Sequence, residues 1–177
     1  MIIRDAAESD FPAIAAIYAD HVLTGLASFE ETPPAAQDLT ERWRAVLSYG
    51  LPYLVAEADR RVAGYSYAGP YRSRSAHRFT IEDSVYVSRG WAGRGLGGAL
   101  LARLIERCEG GPWRQMVAVI GDRDNHASIK LHRKFGFRHV GTLQRVGFKF
   151  GGWVDSVLMQ RALEGRAPNG EALEEAR

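Results

Sequence analysis

Five glycines lie within nine residues of the segment VSRGWAGRGLGGALL, from Gly90 to Gly98. The segment follows a run that is typical of a β-strand and leads directly into an apolar run with helical spacing. At such a junction the backbone N–H groups and the positive end of the helix point at one place, where a phosphate can bind. Glycine has no Cβ that would keep a phosphate away from the main chain. The segment therefore predicts a pyrophosphate site, with a merely flexible turn as the alternative.

The same glycines allow a second interpretation. Gly93, Gly95 and Gly98 satisfy the spacing G-x-G-x-x-G, and Asp122 follows the next strand, roughly 20 residues later as in a dinucleotide-binding fold. However, this unit lies in the middle of the chain, and the segments after it have the patterns of β-hairpins rather than of further βα repeats. A dinucleotide-binding oxidoreductase is therefore the second hypothesis. An ATP-binding P-loop is excluded because the chain contains no G-x-x-x-x-G-K-[ST] sequence.

Glu82 is the candidate general base. It precedes the glycine segment on a strand and shares one face of that strand with Ser84 and Tyr86, because side chains alternate. A half-buried carboxylate at this place would have a raised pKa, which suits a base. On the residues alone, the simpler interpretation is a solvated acid or a salt-bridge partner. Asp83 faces the other way and is the weaker candidate.

A second group of polar residues lies on a predicted helix, NHASIKLHRKF. Asn125 and Ser128 are three residues apart and Ser128 and His132 are four apart, so the three share one helical face. An imidazole with an ordinary pKa near ~6.5 can supply a proton at neutral pH. An ordinary surface or capping histidine is the alternative, and Asn125 is also placed to cap this helix.

A basic loop, PYRSRSAHR, directly precedes the strand that carries Glu82. Arg72 and Arg74 alternate with Ser73, and guanidinium groups hold carboxylate, phosphinate or sulfone oxygens in a bidentate way. Such a pair suits a small zwitterionic amino acid and would repel a polycationic amine. Phe29 and Lys149 are further candidates for the same pocket. The alternatives are a solvated loop for the arginines and a core position for Phe29.

The elements that must position these residues follow from periodicity. The spacing of apolar residues predicts, in order, a strand, two helices, three strands, a helix, a strand, a helix and two final strands. Ser9 or Asp10 is placed to cap the first helix. A βαβ unit near the centre with hairpins on both sides indicates an α/β (α+β) fold, with a central mixed, mostly antiparallel sheet flanked by about four helices.

Composition narrows the class of protein. The 177 residues have a formal net charge of +2 and a single cysteine, Cys108, which fits a cytoplasmic globular protein. No apolar stretch approaches the ~20 residues that span a bilayer, so no membrane is expected. The histidines lack metal-ligand spacing and the tryptophans do not alternate with lysine, so neither a metal nor a nucleic acid is expected. We expect one domain over residues 1–163 and a flexible tail over 164–177.

The chain resembles a known superfamily. VYVSRGWAGRGLGGALL is similar to the acyl-CoA-binding motif of the GNAT N-acetyltransferases, with Ala92 where glutamine or arginine is usual and with Gly95 and Gly97 in the glycine positions. AAIYADHV, ASFEETPP, TIEDSVYV, NHASIKLHRKFGF and GFKFGGWVDSVLMQ resemble the branch that acetylates phosphinothricin, methionine sulfoximine and methionine sulfone. The similarity extends from Ile2 to about Leu163, nearly the whole chain.

The resemblance implies a GNAT-like fold and acetyl transfer from acetyl-CoA to the amine of a small amino acid. Glu82 would be the base and His132 the acid for the departing thiolate. The coenzyme would be held by Val85, Tyr86, Val87, Ala92, Gly93, Arg94, Gly95, Leu96, Gly97, Gly98, Asn125 and Ser128. With the basic loop argued above from its residues, the expected acceptor site comprises Phe29, Arg72, Ser73, Arg74, Glu82, Ser84 and Lys149. A homodimer is implied as well, and a non-catalytic acyl-CoA-binding module is the third hypothesis.

Overall fold

The computed structural model describes residues 1–164, which form one seven-stranded sheet and four α-helices. The sheet order is β1-β2-β3-β4-β5-β7-β6, and β4 pairs with β5 in parallel whereas all other neighbours are antiparallel. The predicted fold class and mostly antiparallel sheet are therefore confirmed. The strands are β1 (Ile2–Asp5), β2 (Tyr53–Ala58), β3 (Arg61–Pro70), β4 (Thr80–Val87), β5 (Gln115–Gly121), β6 (Arg138–Lys149) and β7 (Gly152–Ala162).

The helices cover both faces of the sheet. One face carries α1 and α2, because Tyr86 of β4 packs edge-on against Tyr18 of α1 with ring centroids 5.1 Å apart. Val85 and Val87 of β4 alternate with Tyr86 and face α3 on the opposite side. The helices are α1 (Phe11–Thr24), α2 (Ala36–Ser48), α3 (Leu96–Glu109) and α4 (His126–Lys134).

Helix α3 is the central buried element. Leucines recur along its inner face at helical spacing, and four of them are at most 1% exposed. The start of the helix lies close to β3 because a Cβ at Gly64 would come within 2.8 Å of the Leu96 side chain. Gly64 thus allows a close approach that places the first turn of α3 beside the end of β4. The four leucines are Leu96, Leu100, Leu101 and Leu104.

The start of α1 differs from the expected capping arrangement. Asp10 is the N-cap residue, but its side chain makes no capping hydrogen bond to the helix. Its carboxylate instead accepts the Ala7 N–H at 2.8 Å and pairs with the Arg4 guanidinium at 2.7 Å. The carboxylate is buried, and an ionised group in that environment needs a charged partner more than the helix needs a cap.

The flexible tail predicted for residues 164–177 lies outside the described residues from position 165 onward. Within residues 1–164, none of the helices is both long enough and apolar enough to cross a bilayer.

Candidate active site

A cleft opens where two parallel strands separate. β4 and β5 pair from Thr80–Gln115 to Asp83–Ala118, and then both strands continue without pairing to each other. The main chain of β4 from Ser84 to Val87 therefore borders a cavity instead of a neighbouring strand on this side. The cavity has a volume of about 450 Å³ and reaches from the separated strands to the glycine segment.

The glycine segment forms the far wall of the cleft. Gly93 and Gly95 have φ angles of +75° and +82°, in the left-handed region that favours glycine. The first hydrogen bond of α3 joins Ala99 N–H to Gly95 C=O at 3.1 Å, so the earlier N–H groups of the first turn have no acceptor inside the helix. A Cβ at either of the two glycines would meet no atom within 4 Å, so this surface is open. A diphosphate fits such a surface.

Most of the predicted coenzyme residues line this one cavity. Arg94 is the exception, because its guanidinium lies over the Trp91 ring, 5.0 Å from the centroid, and Trp91 itself lines the cavity. The expected residues that line it are Val85, Tyr86, Val87, Ala92, Gly93, Gly95, Leu96, Gly97, Gly98, Asn125 and Ser128, together with Ser84 and His132.

Sequence reasoning missed the β5 side of the cleft. Ala118, Val119, Ile120 and Gly121 line the cavity, because β5 continues beside β4 after the pairing has ended. Their pattern indicates an ordinary buried strand, and only the register with β4 brings them to the cleft. His21 of α1 was also missed; its Nε2 lies 2.9 Å from the carbonyl oxygen of Val87.

The start of α4 forms another wall, as its sequence predicted. Asn125 caps the helix, since its side-chain oxygen accepts the Ser128 N–H at 3.2 Å. His132 lies one turn further on and is buried, with only 4% of its surface exposed. Both ring nitrogens have partners: Nδ1 lies 2.8 Å from the Ser128 carbonyl oxygen and Nε2 lies 2.9 Å from Asp83 Oδ2.

Asp83 makes a buried contact with His132 that the sequence did not predict. It alternates with Glu82, faces the core side of β4, and is itself only 6% exposed. Burial disfavours the charged form of His132, but the hydrogen bond and charge of Asp83 and the bond to Ser128 outweigh it, so the pKa of His132 is raised. An aspartate in the core position of a strand needs a buried partner, and that need was the available signal.

Glu82 lies on the opposite face of β4. Glu82 does not line the cleft. Its side chain points to the side of the sheet on which α1 lies, the same side as the ring of Tyr86. Burial, reinforced by the charge of Asp83 and opposed by that of Arg72, raises the pKa of Glu82 from its ordinary value of 4.5 to about 7. A carboxyl group with that pKa can accept a proton near neutral pH.

The basic loop lies beside Glu82 and is exposed. The guanidinium of Arg72 stacks on the Tyr71 ring at 4.8 Å from its centroid, and its charge acts on Glu82. Ser73 and Arg74 are exposed, and Arg74 precedes a short 3₁₀ turn, Ser75–His77. These side chains are therefore free to reach a ligand on the Glu82 side of the sheet.

Phe29 and Lys149 support a loop at the edge of the site. Phe29 packs against β6 where a Cβ at Gly147 would come within 2.2 Å of its ring. The ammonium of Lys149 is buried and donates to the carbonyl oxygens of Gly25 at 2.9 Å and Ser28 at 2.7 Å. The expected contact between Lys149 and the acceptor would compete with these two bonds, so the structure favours a supporting role.

The fold and cleft define an acetyltransferase. Residues 12–137 match the sequence model of the acetyltransferase (GNAT) family, and the chain belongs to that family. The prediction of an acetyl-CoA-dependent N-acetyltransferase is confirmed.

The relatives of this chain indicate one branch of the family. The chain is 56% identical over 161 residues to a phosphinothricin N-acetyltransferase of Alcaligenes faecalis, covering 91% of this chain and 82% of the relative. It is 42% identical to an L-methionine sulfoximine/L-methionine sulfone acetyltransferase of Pseudomonas paraeruginosa, covering 92% and 94%. A crystal structure of a phosphinothricin acetyltransferase from Sinorhizobium meliloti in complex with acetyl-CoA superposes with a TM-score of 0.90 at 42% identity, covering 98% and 94%.

The dinucleotide hypothesis has no support in the structure. After β5 the sheet continues with antiparallel β7 and β6 rather than with further parallel strands. The carboxylate of Asp122 accepts the Asp124 N–H at 3.0 Å and so stabilises its own turn. Only the spacing of the glycines therefore agrees with a dinucleotide-binding fold.

Proposed function

We propose that this enzyme transfers the acetyl group of acetyl-CoA to the amine of a small amino acid that carries a phosphinate, sulfoximine or sulfone group. The phosphinothricin and methionine sulfoximine/sulfone acetyltransferase names of relatives at 56% and 42% identity support this choice of acceptor. The observation that carries the proposal is Glu82, a half-buried carboxyl group with a pKa of about 7 on the strand that borders the cleft. An ammonium group must lose a proton before it can attack, and Glu82 has the pKa to take it.

The donor is held by main-chain groups. Acetyl-CoA supplies a thioester carbonyl that an amine can attack. The free N–H groups in the first turn of α3 bind its diphosphate, and Gly93 and Gly95 keep that surface open. From Val85 to Val87, the side of the β4 main chain that faces away from β3 has no strand partner. This side binds the pantetheine arm, and one of its amides stabilises the oxyanion.

The acceptor approaches the face of β4 that carries Glu82. Arg72 and Arg74 bind its acidic groups, since guanidinium pairs well with carboxylate and phosphinate oxygens. Ser73 and Ser84 offer hydroxyl groups beside them, and Phe29 borders the pocket. Glu82 removes the proton from the ammonium group directly or through a water. His132, in the cleft wall, returns a proton to the departing thiolate.

The enzyme is proposed to be a cytoplasmic homodimer. Its lone cysteine, Cys108, is a buried free thiol, and acetyl-CoA is a cytoplasmic metabolite. The β6–β7 hairpin lies at the edge of the sheet, so one side of β6 has no neighbouring strand in the described sheet. Several large apolar side chains of this hairpin are at least half exposed, which favours a partner there: Val140, Val146, Phe148, Phe150 and Trp153.

The test is the release of free coenzyme A thiol from acetyl-CoA with a panel of acceptors. The panel contains phosphinothricin, methionine sulfoximine, methionine sulfone, unmodified methionine and a basic peptide. We expect turnover with the first three and little with the peptide. Glu82→Gln should lower kcat/KM by about a hundredfold or more at pH 8 and abolish the acidic limb near pH 7. Wild-type rates in this variant would remove Glu82 from the role of base.

A further inference from the structure

His132 is placed between two acceptors. A neutral imidazole has one N–H donor, and the other nitrogen is an acceptor. Here Nδ1 faces the Ser128 carbonyl oxygen at 2.8 Å and Nε2 faces a carboxylate oxygen of Asp83 at 2.9 Å. The Ser128 hydroxyl also lies 3.3 Å from Nδ1, but the shorter contact is with the carbonyl oxygen, which can only accept, so Nδ1 carries a proton. An ionised Asp83 then requires a second proton, on Nε2, and the ring is an imidazolium.

The pair is sealed from solvent but borders the cleft. The side chains of His132 and Asp83 are 6% and 1% exposed, and both residues line the cavity between the strands. The second carboxylate oxygen, Asp83 Oδ1, is buried without a hydrogen-bond partner among the described residues. A buried charge with an unused acceptor is costly, and such a cost is commonly retained at a functional site.

Asp83 also lies at a decisive point of the sheet. Asp83–Ala118 is the last pair between β4 and β5 before the strands separate. The bond from Asp83 to α4 therefore joins three elements, β4, β5 and α4, at the closed end of the cleft. A change in the charge of the pair therefore changes the electrostatic potential at the place where the reacting end of a bound donor would lie.

We infer that Asp83 is a positioning residue for acetyl transfer: it keeps His132 as a buried imidazolium, and the pair holds the proton that the departing thiolate receives. The inference rests on the proposed function. When the carbon–sulfur bond breaks, the bonding electrons stay on sulfur and the proton of the pair forms the S–H bond. A neutral imidazole and an aspartate carboxylate remain, and the pair takes up one proton from solvent before the next turnover. The proton belongs to the coupled pair rather than to one member.

The other titratable groups near the pair do not replace this proton. Cys108 of α3 lies near Asp83, but burial raises the pKa of its thiol to about 12, so it stays neutral. Glu82 adjoins Asp83 in the chain but faces the other side of the sheet. The third neighbour, Phe137, packs its ring edge-on against His132 with centroids 5.0 Å apart and carries no charge.

The substitution Asp83→Asn removes the negative charge at residue 83 but keeps the size of the side chain and its hydrogen bond to His132. The asparagine amide can donate to Nε2 of a neutral His132 while Nδ1–H still donates to Ser128, so the geometry is kept and the cation is lost. NMR titration of the His132 ring should show an imidazolium at pH 7 in the wild type and a neutral ring in the variant. The variant should lose about ten- to a hundredfold in kcat, with the dissociation constant of acetyl-CoA within twofold of wild type.

Asp10→Asn is the matched control. Asp10 is 6% exposed, as is Asp83, and it pairs with Arg4; neither residue lines the cleft. The Asp10→Asn variant should have the kcat and the His132 titration of the wild type. His132→Gln should lose as much kcat as Asp83→Asn, and the double variant should lose no more than either one, as expected of a unit.

Three results would overturn the inference: a neutral His132 at pH 7 in the wild type, a cationic ring in Asp83→Asn, or wild-type kcat in that variant. The wild-type titration needs no substitution, so it decides the charge of His132 even if a variant fails to fold. It also needs no substrate. If no acceptor is turned over, the proposed function fails while the titration still reports on the pair.

Discussion

Glu82 and Asp83 are neighbours on β4, yet their carboxyl groups lie on opposite faces of the sheet and have opposite surroundings. Asp83 is paired with His132 at 2.9 Å, whereas Glu82 is partly buried with only the more distant charge of Arg72 to favour ionisation. One carboxylate therefore has a buried histidine as its partner, whereas burial raises the pKa of the other to about 7. The alternation of side chains along a β-strand places the two acids on opposite sides of the sheet, as the proposed mechanism requires.

The poised state of Glu82 has a cost in stability. Its pKa is about 7 in the folded protein and near its ordinary 4.5 in the unfolded chain, so ionisation favours unfolding as the pH rises from 4.5 to 7. Glu82→Gln lacks this penalty. Above pH 7 we expect the variant to gain about 1–3 kcal/mol in free energy of unfolding, measured by urea denaturation. The gain should disappear below pH 4.5; a gain that is equal at all pH values would show another cause.

Arg72 should tune the base. Its charge lowers the pKa of Glu82, so Arg72→Gln should move the acidic limb of kcat/KM to higher pH as well as raise the KM of the acceptor. Arg78 lies in the same loop, exposed, with its guanidinium over the Phe79 ring, and Arg78→Gln is the control. The measurement is a pH–rate profile of both variants. Equal profiles would show that Arg72 has no special relation to Glu82.

Gly95 should be required for coenzyme binding rather than for folding. Gly95→Ala places a Cβ on the surface that faces the diphosphate, at a φ of +82°. Gly50 follows α2 with a φ of +72° and equally open space, so Gly50→Ala carries a similar backbone cost of about 1–2 kcal/mol. By calorimetric titration only Gly95→Ala should bind acetyl-CoA at least tenfold more weakly. Equal affinities in the two variants would argue against the diphosphate site.

Lys149 should support the loop from Gly25 to Ser28. Lys149→Met would leave two carbonyl oxygens without their charged donor, at a cost of about 2–4 kcal/mol in free energy of unfolding. The KM of the acceptor should also rise, because Phe29 directly follows this loop. Lys130→Met, at an exposed position on α4, is the control. If stability is unchanged and only the acceptor KM rises, Lys149 binds the acceptor directly, as the sequence predicted.

The β6–β7 hairpin should carry the dimer contact. Trp153 is 64% exposed and packs edge-on against Phe148 with centroids 5.2 Å apart. Trp153→Glu should shift the protein to a monomer in sedimentation velocity experiments, because a carboxylate cannot be buried without a partner. Tyr49 follows α2 and is 63% exposed, and Tyr49→Glu is the control that should not change the oligomeric state. A monomeric wild type would refute the proposed homodimer.

Local physical chemistry explains what could be predicted. Asn125 caps α4 as expected because a cap depends on a few consecutive residues. Gly93 and Gly95 adopt left-handed φ angles for the same reason, and the helix behind them starts where the apolar spacing starts. The cap of α1 was mispredicted because Arg4, from another element, takes the carboxylate of Asp10. Local rules fail where a distant partner competes.

The sequence by itself determined the order of elements, the glycine surface and the alternation that separates Glu82 from Asp83, since each depends on neighbours along the chain. Tertiary structure decided where β4 parts from β5, that Asp83 meets His132 from 49 residues away, and that Lys149 bonds a loop more than 120 residues away. These relationships depend on strand register and helix packing, which are set by the burial of the whole core rather than by any short stretch of residues.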